Sequence, residues 1–250
     1  MAQNPQRVQS ADRALAILGT FSPERPLVRV SELASELGLH KSTVSRLLAI
    51  LQARGLVRRD GDRFAPGPEL ARLGVLAVNG LPLVQAAREP LGRLAEKTGE
   101  TVNVAVRRGE EAVNVVQVQT AHLVGMTDWT GRGAALHATA NGKALLAFGD
   151  GSLPEKLPAL TGRTITDRAT LEVELERVRS RGFATAAEEL EVGLNAVAAP
   201  VFDAEGACIA AVSVSGPTFR LPVKSLPEVA PVCRAAADEI STSLGYRAAT

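Results

Sequence analysis

Residues 30–51 read Val30-Ser-Glu-Leu-Ala-Ser-Glu-Leu-Gly-Leu-His-Lys-Ser-Thr-Val-Ser-Arg-Leu-Leu-Ala-Ile-Leu51. Apolar residues recur three and four positions apart, first at Leu33, Ala34 and Leu37 and then at Val44, Leu47, Leu48 and Leu51. This spacing predicts two amphipathic helices that pack onto one core. Gly38 lies between them, where a tight turn needs a residue that adopts positive φ. The stretch therefore predicts a helix-turn-helix.

The polar face of the second helix carries small hydroxyls and long cations, and no carboxylate. Its members are Lys41, Ser42, Thr43, Ser45 and Arg46. Side chains of this kind at the start of a helix donate to phosphates and reach base edges in the major groove of double-stranded DNA. An ordinary helical hairpin with a solvated polar face is the alternative interpretation, and the flanking sequence argues against it.

Both flanks extend the pair into a larger unit. A helix precedes it, with a predicted apolar face made of Ala14, Leu15, Ile17, Leu18 and Phe21. After it, residues 55–64 alternate as a two-stranded hairpin with Gly61 at the tip. The hairpin carries three arginines that we interpret as phosphate contacts of a basic wing, namely Arg58, Arg59 and Arg63. The whole predicts a winged helix-turn-helix that binds operator DNA.

The charge distribution agrees with this interpretation. The chain has 250 residues, of which 46% are hydrophobic, and this suffices for one large domain or two modest ones. Its net charge of +1 conceals an asymmetry, because residues 1–66 carry a balance of +4 and the remainder carries −3. A basic N-terminal part on an acidic remainder suits a protein that presents one end to a polyanion.

Cys208 and Cys233 are the two cysteines, and neither has a neighbour at metal-ligand spacing. We therefore expect no metal, no disulfide framework and a reducing cytoplasmic location, at the nucleoid when the protein holds its operator. No apolar run reaches the ~18 residues of a membrane span. The N-terminus also lacks a signal-peptide core.

Beyond residue 66, helices and strands alternate. Pro68 suits the first turn of a helix that ends near Gly80. Further helices are predicted over 82–97, 139–148, 171–181 and 226–244, and strands over 101–106, 112–119, 183–187, 196–202 and 207–214. The pattern predicts an α+β protein in three parts: a winged helix-turn-helix domain at 8–66, a linker helix at 67–80 and a sensor-type domain at 81–246.

Several short motifs are spread along nearly the whole chain. They are Val8-Gln-Ser-Ala-Asp-Arg-Ala-Leu-Ala-Ile-Leu18, Gly38-Leu-His-Lys-Ser-Thr-Val-Ser-Arg-Leu-Leu48, Leu136-His-Ala-Thr-Ala-Asn-Gly-Lys-Ala-Leu-Leu146, Arg179-Ser-Arg-Gly-Phe-Ala184, Glu188-Glu189 with Gly193, Ala198-Ala-Pro-Val-Phe-Asp203 and Ala211-Val-Ser-Val-Ser-Gly-Pro217. In this order and spacing the chain resembles the IclR family of bacterial transcriptional regulators.

The resemblance implies a C-terminal effector-binding domain similar to GAF domains, with an antiparallel sheet and flanking helices. It implies homodimers through the DNA-binding domains and further pairing into homotetramers through the effector domains. It also implies a repressor of a catabolic operon, controlled by a small organic or aromatic acid. No cofactor is expected.

By position, the family's effector pocket corresponds to residues in several separate segments. They are Leu123, Met126, Ala134, Ala140, Asn141, Gly142, Ala186, Leu194, Ala196, Ser213 and Ser215. Free N–H groups at a helix start near Asn141 would favour a carboxylate. The chain departs from the family at Ala186 and Ala196, where members that bind very small keto acids carry polar side chains. We therefore expect a larger, more apolar effector, with Trp129 near the mouth.

No catalytic constellation is found in the sequence. Ser213 and Ser215 lack a nucleophile elbow, and Gly142-Lys143 lacks the upstream glycine of a phosphate loop. His137 is predicted to be a structural hydrogen-bonder, and Glu188-Glu189 a salt-bridged turn. Two alternatives remain open: a stand-alone small-molecule-binding protein or enzyme with an incidental N-terminal bundle, and a constitutive DNA-binding protein without an effector.

Overall fold

A computed structural model of the protein describes residues 9–22, 25–119 and 128–247, apart from the side chains of residues 78 and 79. The chain divides into two units, Met1–Asn79 and Gly80–Thr250. The helices of the first unit are α1 (Gln9–Gly19), α2 (Val30–Glu36), α3 (Lys41–Ala53) and α4 (Pro68–Gly80). Its strands are β1 (Val57–Asp60) and β2 (Arg63–Pro66).

The core of the first unit lies between α1, α2, α3 and the hairpin. Ile17, Leu33 and Leu48 come from the three helices and are fully buried. The two tight turns predicted from glycine are confirmed, because Gly38 has φ 63° and Gly61 has φ 62°. Strands β1 and β2 pair antiparallel around Gly61. These elements form the predicted winged helix-turn-helix.

The predicted apolar face of α1 is wrong at Leu15, whose side chain is 66% exposed. Ile17 is fully buried, and Ala14, Leu18 and Phe21 pack against the same core. Leu15 lies two residues before Ile17, which is about 200° around the helix from it. The periodicity therefore located α1 correctly but included one residue of its solvent-facing side.

Helix α4 begins directly after the hairpin and is anchored there by backbone contacts. The Gly67 N–H donates to the Leu56 carbonyl at 2.9 Å, and the Glu69 N–H donates to the Gly55 carbonyl at 3.1 Å. A Cβ at position 67 would overlap the Gly55 backbone, so only glycine allows this approach. The apolar side chains of the helix are nevertheless solvent-exposed, namely Leu73, Val75 and Leu76.

The second unit contains one six-stranded sheet. Its helices are α5 (Pro82–Thr98), α6 (Ala140–Phe148), α7 (Arg168–Arg181) and α8 (Leu226–Ser243). Its strands are β3 (Thr101–Arg108), β4 (Glu111–Val118), β5 (Gly133–Ala135), β6 (Ala184–Ala187), β7 (Leu194–Phe202) and β8 (Cys208–Pro217). The strand order is β5-β4-β3-β8-β7-β6, and neighbouring strands pair antiparallel.

Alternating strand residues face two separate helical layers. Val102 and Val104 of β3 pack with α5 and α8, whereas Ala105 packs with α6 and α7. Helix α6 is buried along nearly its whole length, including the polar side chains of Asn141 and Lys143. The predicted α+β class with an antiparallel sheet is confirmed.

Three element predictions needed adjustment, and one of them is strand β8, which continues to Pro217, three residues beyond its predicted end. Helix α7 begins three residues earlier than predicted, because the Asp167 carboxylate accepts the Thr170 N–H at 2.8 Å and caps it. Strand β5 was not predicted, since its three residues pair only with β4 at the sheet edge. No single helix among the described residues is long and apolar enough to cross a membrane. Pro68–Ala77 and Pro82–Thr98 have the required length and composition only as a bent pair.

Candidate functional site

Helix α3 presents the predicted polar face to solvent. Lys41, Ser42, Ser45 and Arg46 are exposed and Thr43 is half-buried, whereas the opposite face is buried in the core. In the part of the chain that the structure describes, no carboxylate pairs with Lys41 or Arg46. The helix therefore offers two exposed cations and three hydroxyls on one side.

The wing places its arginines differently from one another. Arg58 and Arg59 are exposed and Arg63 is half-buried. The Arg59 Nε donates to the Gly61 carbonyl at 3.0 Å, which holds this side chain against the wing tip. Arg58 lies 3.7 Å from the Asp60 carboxylate. Arg58 thus has an acidic neighbour within its own strand.

Arg29 is a structural member of this surface that the sequence reasoning missed. Its Nε donates to the Asp62 carboxylate of the wing at 2.9 Å, and its Nη1 lies 3.4 Å from Glu32 of α2. The hydrogen bond from Arg29 holds the pKa of Asp62 below its usual value. Arg29 therefore ties the wing tip to the start of α2. Its position directly before a helix with Glu32 three residues later was the available signal.

A cavity of about 60 Å³ lies in the second unit, on the sheet face that packs against α6. Nine residues predicted for the pocket line it: Trp129, Ala134, Ala140, Asn141, Ala186, Leu194, Ala196, Ser213 and Ser215. Six further lining residues were not predicted: Asn103, Ala112, Asn114, Ala138, Thr139 and Leu190. Predicted residues Leu123 and Met126 fall outside the described residues.

Gly142 is not among the residues that line the cavity, which corrects its predicted place. Its N–H donates to the Thr139 hydroxyl at 3.0 Å and is therefore not available to a ligand. A Cβ at this position would overlap the Leu136 backbone. Gly142 thus allows the close approach of α6 to the preceding turn.

The start of α6 forms one end of the cavity. Thr139 caps the helix, and Thr139, Ala140 and Asn141 all line the cavity. Ala140 and Asn141 are the first two helical residues, so their N–H groups have no partner within the helix. Free N–H groups and the helix dipole favour an anionic group at this end.

Two buried amides face two serines on the sheet. The Asn141 Nδ2 donates to the Ser213 Oγ at 2.9 Å, and the Asn103 Nδ2 donates to the Ser215 Oγ at 3.2 Å. Both amide oxygens are buried and have no hydrogen-bond partner among the described residues. The cavity thus combines alanine walls with an amide–hydroxyl end.

Behind the cavity, Lys143 and Glu189 form a buried ion pair with Nζ–O distances of 2.7 and 2.8 Å. Burial raises the pKa of the Glu189 carboxyl, because loss of solvation outweighs the attraction of Lys143. Glu188 adopts φ 55° and lies 3.3 Å from Arg163. The prediction that Glu188-Glu189 forms a salt-bridged turn is confirmed.

His137 also has the structural role predicted for it. The side chain is buried, and its Nε2 lies 3.0 Å from the Pro158 carbonyl oxygen. Both cysteines are free, and burial raises the pKa of each thiol to about 12. Among the described residues, no group of three or more His, Cys, Asp or Glu side chains could hold a metal ion.

Two family models match this architecture. The IclR helix-turn-helix domain matches residues 10–61, and the bacterial transcriptional regulator IclR C-terminal domain matches residues 75–242. The second match covers more than half of the chain. The chain belongs to the IclR family. This IclR chain is therefore a ligand-responsive, DNA-binding transcriptional regulator, as the resemblance predicted.

Named relatives of this IclR chain are transcriptional regulators. It is 35% identical to the HTH-type transcriptional regulator BhcR of Paracoccus denitrificans (strain Pd 1222), over 98% of this chain and 91% of BhcR. It is 34% identical to the HTH-type transcriptional repressor AllR of Escherichia coli (strain K12), over 96% of this chain and 92% of AllR.

Solved IclR structures share the fold. The Thermotoga maritima IclR gives a TM-score of 0.71 at 31% identity, over 95% of this chain and 99% of that one. An IclR regulator from Alicyclobacillus acidocaldarius gives 0.84 at 26% identity, over 96% and 100%. An IclR homolog from Microbacterium hydrocarbonoxydans, complexed with 4-hydroxybenzoate, gives 0.77 at 24% identity over 94% and 98%, and shows the fold alone.

Proposed function

We propose that this protein is a repressor whose affinity for operator DNA changes when a small organic acid occupies the cavity of the second unit. The main support for DNA binding is the exposed face of α3, where Lys41 and Arg46 have no carboxylate partner among the described residues. We assign residues 8–66 to DNA binding, 67–80 to a linker and 81–246 to the effector domain. As a DNA-binding regulator, it would act in the cytoplasm, at the nucleoid when bound to its operator.

Operator recognition is assigned to α3 and the wing. The proposed contacts are Lys41, Ser42, Thr43, Ser45, Arg46, Arg58, Arg59 and Arg63. A helix with cations and hydroxyls in its first two turns can reach base edges while its start contacts phosphates. A wing arginine such as Arg59 contributes a sequence-independent phosphate contact. The assignment separates residues that read sequence from residues that add affinity.

Ligand binding is assigned to the cavity. The proposed contacts are Leu123, Met126, Trp129, Ala134, Ala140, Asn141, Ala186, Leu194, Ala196, Ser213 and Ser215, and now also Asn103. The α6 N-terminus suits a carboxylate, and the alanine walls suit a carbon skeleton. An organic acid supplies both parts.

The size of the cavity bears on which acid binds. Its volume of about 60 Å³ is less than half of the ~150 Å³ of an engineered cavity that holds benzene. An aromatic acid therefore requires the walls to move apart, whereas a three-carbon acid requires less displacement. The alanines at positions 186 and 196 led us to expect a larger effector. Binding experiments should therefore compare compact acids with an aromatic acid, for which 4-hydroxybenzoate is a suitable choice.

We also propose a homodimer formed through the first unit. Leu15, Ile50, Leu73, Val75 and Leu76 are apolar side chains of this unit and are exposed. Contact between copies would bury some of this area and present two α3 helices to the half-sites of a pseudo-palindromic operator. Further pairing into a tetramer is proposed from the family resemblance. Neither pairing alters the assignment of the cavity.

A gel shift with the DNA upstream of the protein's own gene tests the DNA half of the proposal. We expect retarded bands that survive an excess of random duplex. No preference over random duplex would contradict operator recognition and favour a stand-alone small-molecule-binding protein. Thermal unfolding with the candidate acids tests the other half, because a ligand at ~100 times its dissociation constant adds about 2.7 kcal/mol. No shift with any acid would favour a constitutive DNA-binding protein.

A further inference from the structure

We infer that Asn103 makes the cavity selective for acids that also carry a hydroxyl group, because its buried amide oxygen has no hydrogen-bond donor among the described residues and a ligand hydroxyl can supply one. The inference rests on the proposed function, since it names the class of acid for the same cavity. Asn103 belongs to β3, and its role depends on two hydrogen bonds across the sheet, from Asn103 to Ser215 and from Ser215 to Thr101.

The register of the sheet places Asn103 among the polar residues of the cavity. Asn103 lies opposite Ser213 on β8, and Thr101 lies opposite Ser215. Its neighbours Val102 and Val104 pack on the other face, against α5 and α8. Asn103 therefore shares the α6 side of the sheet with both serines, where it is 5% exposed and lines the cavity.

The hydrogen bonds of Ser215 fix the orientation of the Asn103 amide. The Ser215 hydroxyl donates its one proton to the Thr101 carbonyl at 3.4 Å. Toward Asn103 it can therefore only accept, and this agrees with the 3.2 Å hydrogen bond that the Asn103 Nδ2 donates to it. The Asn103 Oδ1 is left as a buried acceptor without a partner among the described residues.

Asn141 is less selective than Asn103. The Ser213 Oγ accepts from the Asn141 Nδ2 at 2.9 Å and donates to no described atom. Because the Ser213 hydroxyl can exchange donor and acceptor roles, the Asn141 amide can turn either of its ends to a ligand. Asn103 is held in one orientation and is therefore the residue that discriminates.

A ligand without a donor leaves the Asn103 oxygen desolvated and unpaired. A buried polar group in that state weakens binding by about 10- to 100-fold relative to a paired one. The carboxylate is already provided for at the α6 N-terminus, through the N–H groups of Ala140 and Asn141. The α6 N-terminus and the Asn103 oxygen together favour binding of a hydroxy acid over binding of the same acid without its hydroxyl group.

Calorimetry on the full-length protein with matched pairs of acids tests this inference. The pairs are lactate with propionate and 4-hydroxybenzoate with benzoate, which differ within each pair by one hydroxyl. We expect the hydroxylated member of the pair that fits to bind about 10- to 100-fold more tightly. Equal affinities within a pair that binds would overturn the inference and leave the proposed function standing.

The variant Asn103→Leu tests whether Asn103 is the residue that distinguishes hydroxylated acids from acids without the hydroxyl. The folded variant is expected to bind the two members of the pair with nearly equal affinity. A preference unchanged in folded Asn103→Leu would overturn the role of Asn103. The wild-type ratio needs no variant and decides the ligand class even if Asn103→Leu does not fold.

The proposed function fails in a different way. If none of the four acids binds at millimolar concentration and none changes operator affinity, the proposal of an organic-acid effector is contradicted, and the inference falls with it.

Discussion

Lys143 and Glu189 form a buried ion pair that joins α6 to the turn after β6. The two side chains are 1% and 11% exposed, and both carboxylate oxygens lie within 2.8 Å of the ammonium nitrogen. Helix α6 begins at the cavity, and Leu190, which also lines the cavity, follows Glu189 directly. The ion pair therefore connects α6 to the segment that contains Leu190, and both contribute residues to the cavity lining.

Lys143→Met is expected to destabilise the second unit by about 3–5 kcal/mol, because it leaves the Glu189 carboxylate buried without its counter-charge. Chemical denaturation monitored by circular dichroism measures this loss. The double variant Lys143→Met with Glu189→Gln removes both charges and is expected to lose less than the single variant. A double variant that is less stable than Lys143→Met would contradict the ion-pair explanation.

The raised pKa of Glu189 predicts a pH dependence of stability. The folded protein holds this proton more tightly than the unfolded chain, whose carboxyl has its usual pKa of 4.5. The contribution is therefore complete below 4.5 and is lost as pH rises through the higher pKa of the folded state. We expect the stability of the wild type relative to Glu189→Gln to decline as pH is raised above 4.5. A relative stability that increases over this interval would show that the attraction of Lys143 dominates instead.

Arg46→Ala and Arg59→Ala are expected to weaken DNA binding in different ways. If Arg46 reads a base, its loss lowers operator affinity about 10- to 100-fold and relaxes specificity at one position. Loss of Arg59 weakens binding to all sequences and reduces the salt slope by about one unit.

Fluorescence anisotropy with operator and random duplexes at several salt concentrations separates these effects. Arg177→Ala is a suitable control, because Arg177 is an exposed arginine of α7 in the second unit. It should leave both the affinity and the salt slope unchanged. Equal losses on operator and random DNA for Arg46→Ala would remove its base-reading role.

Gly142→Ala is expected to destabilise the protein by about 1–3 kcal/mol, because the added methyl group overlaps the Leu136 backbone. Gly92→Ala is the matched control, since Gly92 lies in α5 and nothing lies within 4 Å of a Cβ there. An alanine in that helix should be neutral or stabilising by up to about 1 kcal/mol. Thermal unfolding of both variants measures the contrast, and equal effects would contradict the close-approach explanation for Gly142.

Local sequence signals predicted the helices and the hairpin of the first unit. The three- and four-residue spacing in α3 and the glycine turns at Gly38 and Gly61 depend on neighbours within a few positions. Leu15 was wrongly assigned to the buried face of α1, because the spacing of apolar residues predicts that a helix is present more reliably than it predicts where the buried face ends. Strand β5 was missed for a related reason, as three residues are too few for an alternating pattern.

The cavity depended on contacts that no local pattern reveals. The hydrogen bond between Asn103 and Ser215 connects residues 112 positions apart, and it exists only because β3 pairs with β8. Asn141 and Ser213 were named from the family resemblance, whereas Asn103 was not. The pairing of Lys143 with Glu189 was likewise expected only as a salt-bridged turn, without its lysine partner. The contact between Asn103 and Ser215 follows from the register of β3 against β8, which the sequence pattern did not reveal.

An operator-binding titration with and without a saturating acid tests the central claim most directly. The acid is the member of the four-compound panel that most raises the unfolding temperature. We predict that it changes operator affinity by about 5- to 150-fold, and that saturating operator changes the affinity for the acid by the same factor, because coupling between sites is reciprocal. An operator affinity that stays the same when the cavity is filled would contradict the account.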